Sequence, residues 1–352
     1  MIAYSRVAFL RIFMDLIFIQ PASRRLLRVT IVLAALLLTG CQNIRYYSQA
    51  ISGQASLLWN SRAIDQVLAD SGTTRELRAR LELVQKIRAF AVDELDLPES
   101  GSYYRYTDIG REFVLWSVVA AQEFSVAPEL FCFPIVGCVS YHGYFDPLRA
   151  QEEATALRAK GLDVSVGPVS AYSTLGWFPD PILSSVLRYP DAELAGLIFH
   201  ELSHERVYIK DDTTFNESFA SFVEQAGVSK WLSAMGRDEE LKEYQKRLEQ
   251  RTRLIRLISV TREQLAKLYA EDLSAKVKRQ QKKQILDELR DEYVALRDQG
   301  QAPNWGRWFD QDLNNAKLAA VATYHDQTGF FEDLFQQANE DFSAFYRLVE
   351  AQ

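Results

Sequence analysis

The chain has 352 residues, 48% of them hydrophobic and 12% aromatic, and a formal net charge of −7. That composition excludes an intrinsically disordered polymer and supplies core for one large or two ordinary domains. The acidic balance repels phosphate backbones, so nucleic acid is not an expected partner.

Residues 21–41, "PASRRLLRVTIVLAALLLTGC", set Arg24, Arg25 and Arg28 ahead of an uncharged run from Val29 to Leu38 and a small-residue site ending at Cys41. Positive charge, a short apolar stretch and small residues form the pattern of an export signal, and the run is short for a helix that stays across a bilayer. Its end, "LTGC", resembles the bacterial lipoprotein signal. The resemblance implies that residues 1–40 are removed and that Cys41 is lipidated at the mature N-terminus. Gln42 after the cysteine then implies the outer membrane, facing the periplasm. An ordinary cleaved signal or a buried apolar helix is the alternative. The first twenty residues add a second apolar stretch, read as a longer leader or a misassigned start. Removal of residues 1–40 takes away five arginines and Asp15, which moves the net charge to −11.

Residues 61–96 place Leu, Val and Ile among charges at helical spacing, as in "ELRARLELVQKIRAFAVDEL", and predict amphipathic helices. "PESGSYYRYTDI" breaks helix at Pro98 and Gly101, and "FVLWSVVAAQEF" reads as a buried strand. Residues 132–145 read as an aromatic loop. Within it, Cys132 and Cys138 of "FCFPIVGC" are expected to form a disulfide if the chain is exported. Two free thiols or soft metal ligands are the alternatives, and no other Cys/His cluster lies nearby in the sequence. "PLRAQEEATALRAKG" predicts a helix closed by Gly161, followed by a strand or hairpin in "LDVSVGPVSAYSTLG".

Pro190 and Asp191 then start a helix through "AELAGLIFHELSHERVYI", with Glu193 in its first turn, and after "KDDTT" a second helix follows in "FNESFASFVEQAGV". Residues 237–299, rich in charge with recurring Leu, Ile and Tyr, read as a long helical hairpin. Its basic stretch "KVKRQQKK" reads as a solvated helix face, with anionic lipid or nucleic acid as the alternative. Gly300 and Pro303 end the hairpin, and "NWGRWFDQDLNNAKLAAVATYHDQ" begins a final helical segment.

The chemistry concentrates in "HELSH". His200 and His204, four residues apart, project from one helix face and can reach a single ion. Glu201 is turned about a third of a revolution from His200, close enough to act on water beside the ion without entering its inner shell. This is the H-E-x-x-H arrangement of zinc peptidases. The bland alternative is a pair of packed or surface histidines bonded to backbone. On a largely apolar helix, however, two imidazoles and a carboxylate are costly without a cation.

A catalytic zinc needs a third protein ligand and an open position. Glu217 and Glu224, seven residues apart on nearly one face of the second helix, are the candidates. "FNESFASFVE" resembles the N-E-x-x-A zinc motif of gluzincin aminopeptidases, which implies Glu217 as the ligand with Asn216 and Ala220 matching its neighbours. Twelve residues separate His204 from Glu217, fewer than in the best-known gluzincins, and by interval alone Glu224 fits better. Glu217 is preferred because a local motif sets a side chain's direction while loop length varies freely. A rival role for Glu217 is a capping box with Thr214.

Tyr324 and His325 in "VATYHD", and Tyr141 and His142 in "SYHGYF", are candidate oxyanion donors, Tyr324 foremost. Glu205 and Asp211 read as solvated or supporting groups. Together with "FPIVGC", "YSTLGWF" and "NNAKLAAVATYHD", these motifs make most of residues 41–350 resemble a bacterial family described as putative aminopeptidase lipoproteins. The G-x-M-E-N stretch that holds the substrate amine in large gluzincin aminopeptidases is absent from the sequence, which leaves endopeptidase action open.

The expectation is therefore a predominantly helical α+β protein with a gluzincin-like catalytic helix pair, a small sheet and a long helical hairpin. Its expected parts are a leader (1–40), a metallopeptidase core (41–236), a hairpin (237–300) and a C-terminal helical segment packed on the core (301–352). The expected activity is zinc-dependent peptide hydrolysis by Glu201 at a Zn2+ held by His200, His204 and Glu217. "YSTLGWF" is read as the edge strand on which a peptide lies. The alternatives are an envelope scaffold with a structural zinc, binding a protein partner through the hairpin, and a cell-wall peptide amidase.

Overall fold

The computed structural model describes residues 46–133, 137–171, 174, 178–322 and 328–352. Cys41, Tyr324, His325 and all of "YSTLGWF" except Thr174 and Phe178 lie outside them. The chain divides into residues 1–54 and 55–352. The described part of the first, residues 46–54, is helical. No helix among the described residues is long and apolar enough to cross a membrane.

Strand β1 (Arg62–Ala63) and helix α1 (Ile64–Ala69) precede α2 (Arg75–Leu95). Thr74 caps α2 by accepting from the Leu77 amide, and Leu81, Val84, Ile87, Ala91 and Leu95 form its buried stripe. β2 (Arg105–Thr107) pairs antiparallel with β1 and parallel with β8 (Ile182–Leu183). The strand predicted in "FVLWSVVAAQEF" is β3 (Leu115–Ala121), the centre of a second sheet. It lies between β6 (His142–Tyr144) and β7 (Asp163–Val169), antiparallel to both. Between β7 and β6 in sequence runs α3 (Pro147–Ala159), started by Asp146 as cap and Pro147 in the first turn.

Residues 132–145 hold more order than a loop. β4 (Phe131–Phe133) and β5 (Gly137–Val139) form a hairpin in which Cys132 and Cys138 stand directly opposite and are disulfide-bonded. Strands of three residues are too short to show a period of two, so the sequence pattern missed them.

Helices α4 (Asp191–Arg206) and α5 (Thr213–Ala234) pack closely, with α2 behind them. A Cβ at Gly227 would stand 2.8 Å from Leu95 and 2.9 Å from Phe199, so only glycine lets the three helices approach this far. After the hairpin α6 (Asp238–Ala270) and α7 (Ala275–Asp298) come α8 (Gly306–Phe309), α9 (Asn315–Ala322), α10 (Thr328–Gln337) and α11 (Phe342–Glu350). Phe215, Phe219 and Phe222 of α5 pack edge-on or tilted against Phe331, Phe335, Phe345 and Tyr346 of the last two helices. The Tyr346 hydroxyl donates to the Leu95 carbonyl and Arg206 pairs with Glu350, which ties the C-terminus to the ends of α2 and α4.

The hairpin has an apolar cluster of its own around Leu254, Ile258, Leu286 and Leu289, closed by Tyr293 stacked on Phe309 at 3.7 Å. Its basic stretch is engaged within the fold. Lys282 reaches Asp163 at 2.6 Å and the Glu123 carbonyl at 2.9 Å, Arg279 pairs with Glu123, Lys278 donates to the Tyr269 carbonyl and Lys283 pairs with Asp287. Asn315 donates its amide to the same Asp163 carboxylate, so the "NNAKL" segment is moored at the start of β7.

His142 on β6 stacks on Phe131 at 3.9 Å, with Glu153 of α3 3.9 Å from its Nδ1. These neighbours belong to β4 and α3 rather than to α4 or α5. Burial holds its imidazole down to about 4. The unfolded chain takes up this proton near pH 6.5 and the folded chain only near 4, so the stability contribution is complete above about 6.5 and is lost as pH falls through this window. The His142→Phe variant, which keeps the stacking, is expected to retain roughly 2–3 kcal/mol that the wild type loses between neutral pH and pH ~4.5. Urea unfolding at the two pH values measures it; parallel losses in both proteins would refute the assignment.

Candidate metal centre

Helix α4 is buried on most of its circumference, through Leu194, Ala195, Ile198, Phe199 and Leu202, and His200 and His204 lie on the side that meets α5. The connection between the helices is short and internally bonded. Asn216 accepts from the Ile209 amide at 2.7 Å and donates to the Ile209 carbonyl at 2.6 Å. Asp211, in the left-handed region at φ 66°, accepts from the Cys138 amide at 2.9 Å, which sets the disulfide hairpin against the same connection. Asp212 caps α5 by accepting from the Phe215 amide. The Thr214–Glu217 capping box therefore does not form: the helix starts two residues earlier than that box requires, and Glu217 is turned toward α4.

His200 Nε2 lies 3.3 Å from Glu217 Oε2, and His204 Nε2 lies 3.8 Å from Glu217 Oε1. One donor atom from each of His200, His204 and Glu217 falls within 4.8 Å of the others. Ligand atoms about 2.0–2.1 Å from a tetrahedral zinc stand about 3.4 Å apart, so the donor set fits such an ion. The surroundings fit as well. His204 is buried with its Nε2 facing Glu217 at 3.8 Å, and a cation between the imidazole and the carboxylate would offset the cost of burying them. Glu224 is placed differently from Glu217: its Oε2 stands 3.2 Å from His200 Nδ1, on the far side of the ring.

The electrostatics separate the two imidazoles. Burial opposes a charge on His200, but hydrogen bonds and negative charge from Glu217 and Glu224 outweigh it and hold the group up to about 10. Burial dominates at His204 and holds it down to about 4, with Glu217 pulling the other way. Burial pushes the Glu201 carboxyl up to about 7. Positive charge on His200 draws it back, while Glu217, Asp180 and Glu224 push it further.

A second layer comes from segments that carry no motif. Tyr103 is 5% exposed, sits at φ 64° and donates its amide to the Asp180 carbonyl at 2.7 Å. Burial first, then the charges of Glu201, Asp180 and Glu205, raise its hydroxyl well above the usual tyrosine range. Ser102 donates to Glu205, the residue after His204, at 2.7 Å and accepts from the Asp180 amide at 3.2 Å. A buried non-glycine residue in the left-handed region beside titrating groups is the kind of strain that gathers at functional sites. Nothing in "PESGSYYRYTDI" marks it as such, because the contacts join residues about a hundred positions apart. Of the other sequence candidates, Tyr141 is exposed, just before β6 and next to His142.

No curated protein and no solved structure matches the chain. Residues 45–352 match the family described as "putative aminopeptidase", and with this stretch covering nearly the whole sequence, the chain belongs to that family.

Proposed function

We propose that the protein is a zinc-dependent peptide hydrolase of the gluzincin type that acts as an aminopeptidase, with His200, His204 and Glu217 holding the ion and Glu201 serving as general base. The observation that carries this reading is the convergence of the three donors across α4 and α5, with Glu201 beside them and outside the set. A zinc ion held there supplies Lewis acidity toward water and toward a peptide carbonyl. Glu201 accepts the proton of the attacking water on its carboxylate and returns it to the leaving amine. A carboxyl poised near neutrality suits both transfers. Family membership supports a peptide as substrate. Three donors rather than four among the described residues favour a catalytic over a closed structural site.

The same proposal places the enzyme in the bacterial envelope, lipid-anchored at Cys41 and facing the periplasm. The Cys132–Cys138 disulfide supports an oxidising compartment.

Metal analysis of the purified protein, joined to digestion of an unbiased peptide library, tests the reading. One zinc per chain and cleavage that begins at free N-termini are expected; a protein that takes up no metal or cleaves no peptide overturns it. Metal uptake has a further signature. Ion-free His200 is protonated at neutral pH because its carboxylate partners hold it up to about 10, so zinc must displace that proton. Apparent affinity should rise about tenfold per pH unit below that value. Calorimetry in buffers of different ionisation enthalpy counts the proton, and uptake without release contradicts the assignment of His200.

A further inference from the structure

Resting on the hydrolase reading above, we propose that Glu224 is a positioning residue that selects the tautomer and orientation of His200, and that Gly196 exists as glycine to admit it. An imidazole can give a cation only the nitrogen that carries no proton, so a histidine ligand works when something holds the proton on its other nitrogen. Glu224 Oε2 lies 3.2 Å from His200 Nδ1, while Nε2 of the same ring faces Glu217 at 3.3 Å. With Nδ1–H donated to Glu224, the Nε2 lone pair is directed at the donor set.

Helix register makes this arrangement specific. His204 meets Glu217, His200 lies between Glu217 and Glu224, and Gly196 meets Glu224, so α4 and α5 run antiparallel with one turn of α4 for each step. Gly196 is buried within α4, where glycine costs about 1 kcal/mol relative to alanine. A Cβ there would stand 3.1 Å from Glu224 Cγ, 3.3 Å from its Oε1 and 3.4 Å from Val228 Cγ2, so the Glu224 side chain would have to shift by a few tenths of an ångström. The missing side chain is thus the space in which Glu224 reaches His200. His204 has no equivalent partner on its Nδ1 among the described residues, so the geometry of the site depends on His200 being set.

The test uses the full chain with zinc as probe, in wild type, Glu224→Gln, Gly196→Ala and Glu217→Ala, with zinc affinity read by competition against a chromophoric chelator. Glu224→Gln is expected to weaken zinc by about 10–100-fold, the usual effect of losing a carboxylate behind a histidine ligand. Gly196→Ala should weaken it in the same direction although alanine favours the helix, a combination that loss of packing alone does not produce. In 15N spectra of zinc-loaded wild type, His200 should be protonated at Nδ1, and this signal should be lost or shifted in both variants. Unchanged zinc affinity in both variants overturns the inference and leaves the hydrolase reading standing. A Glu224→Gln loss as complete as that of Glu217→Ala also overturns it, since Glu224 would then be a ligand. Wild type that binds no zinc removes the hydrolase reading and this inference together.

Discussion

Replacing Glu201 with glutamine is expected to lower kcat by about a hundred- to ten-thousand-fold, the range spanned by loss of a general base, while zinc content and thermal midpoint stay at wild-type values. Glutamine keeps the size and hydrogen-bonding reach of the side chain and removes only the capacity to take a proton. The donors that would hold the ion, His200, His204 and Glu217, are untouched, which is why metal and activity should separate. Wild-type kcat/KM should also fall on the acid side. Burial and the neighbouring carboxylates raise the ion-free Glu201 carboxyl to about 7, and a divalent cation nearby stabilises the ionised form. The acid limb therefore lies at or below that value. A Glu201→Gln protein that hydrolyses peptides at the wild-type rate would remove Glu201 from the mechanism. One that fails to bind zinc would make it part of the metal site.

The largest effect on stability is expected at Arg88. Its side chain is 4% exposed and donates through Nε to the Ser102 carbonyl at 2.8 Å and through Nη2 to the Ser100 carbonyl at 2.5 Å and to Glu99 at 3.2 Å. The guanidinium also lies 3.6 Å from the centre of the Tyr104 ring. Substitution by methionine preserves the hydrocarbon and removes every donor, so carbonyls that were satisfied by a charged group lose their partner at a cost of roughly 3 kcal/mol. Lysine should recover little of this, because one ammonium cannot reproduce the planar fork. The consequence reaches the site, since residues 99–104 carry the Ser102 hydrogen bond to Glu205 and the strained Tyr103. The Arg88→Met protein, assayed at a temperature where it is fully folded, should therefore show reduced kcat/KM beside its lowered urea midpoint. A midpoint equal to that of the wild type would show that the loop is held by other means.

What the sequence by itself determined is local. A four-residue interval places His200 and His204 on one face of α4 whatever surrounds the helix, and the stripe from Leu81 to Leu95 makes α2 amphipathic for the same reason. The caps at Asp146 and Thr74 and the β-branched and aromatic run of β3 act within a few residues, so they too are local to one segment. Tertiary structure decided which side chains from other segments meet that face. Glu217 and Glu224 share one side of α5, and no interval distinguishes them. Their different placements against His200 follow from the register of α5 on α4, to which the Asn216 clasp on Ile209, the Asp212 cap and the open space at Gly196 contribute. Ser102 and Tyr103 come to Glu201 and Glu205 only because the chain folds back over about a hundred residues, and Arg88 holds that return in place. Spacing fixes direction within a helix, but the approach of one helix or loop to another depends on packing volume and long-range hydrogen bonds, which no local pattern encodes.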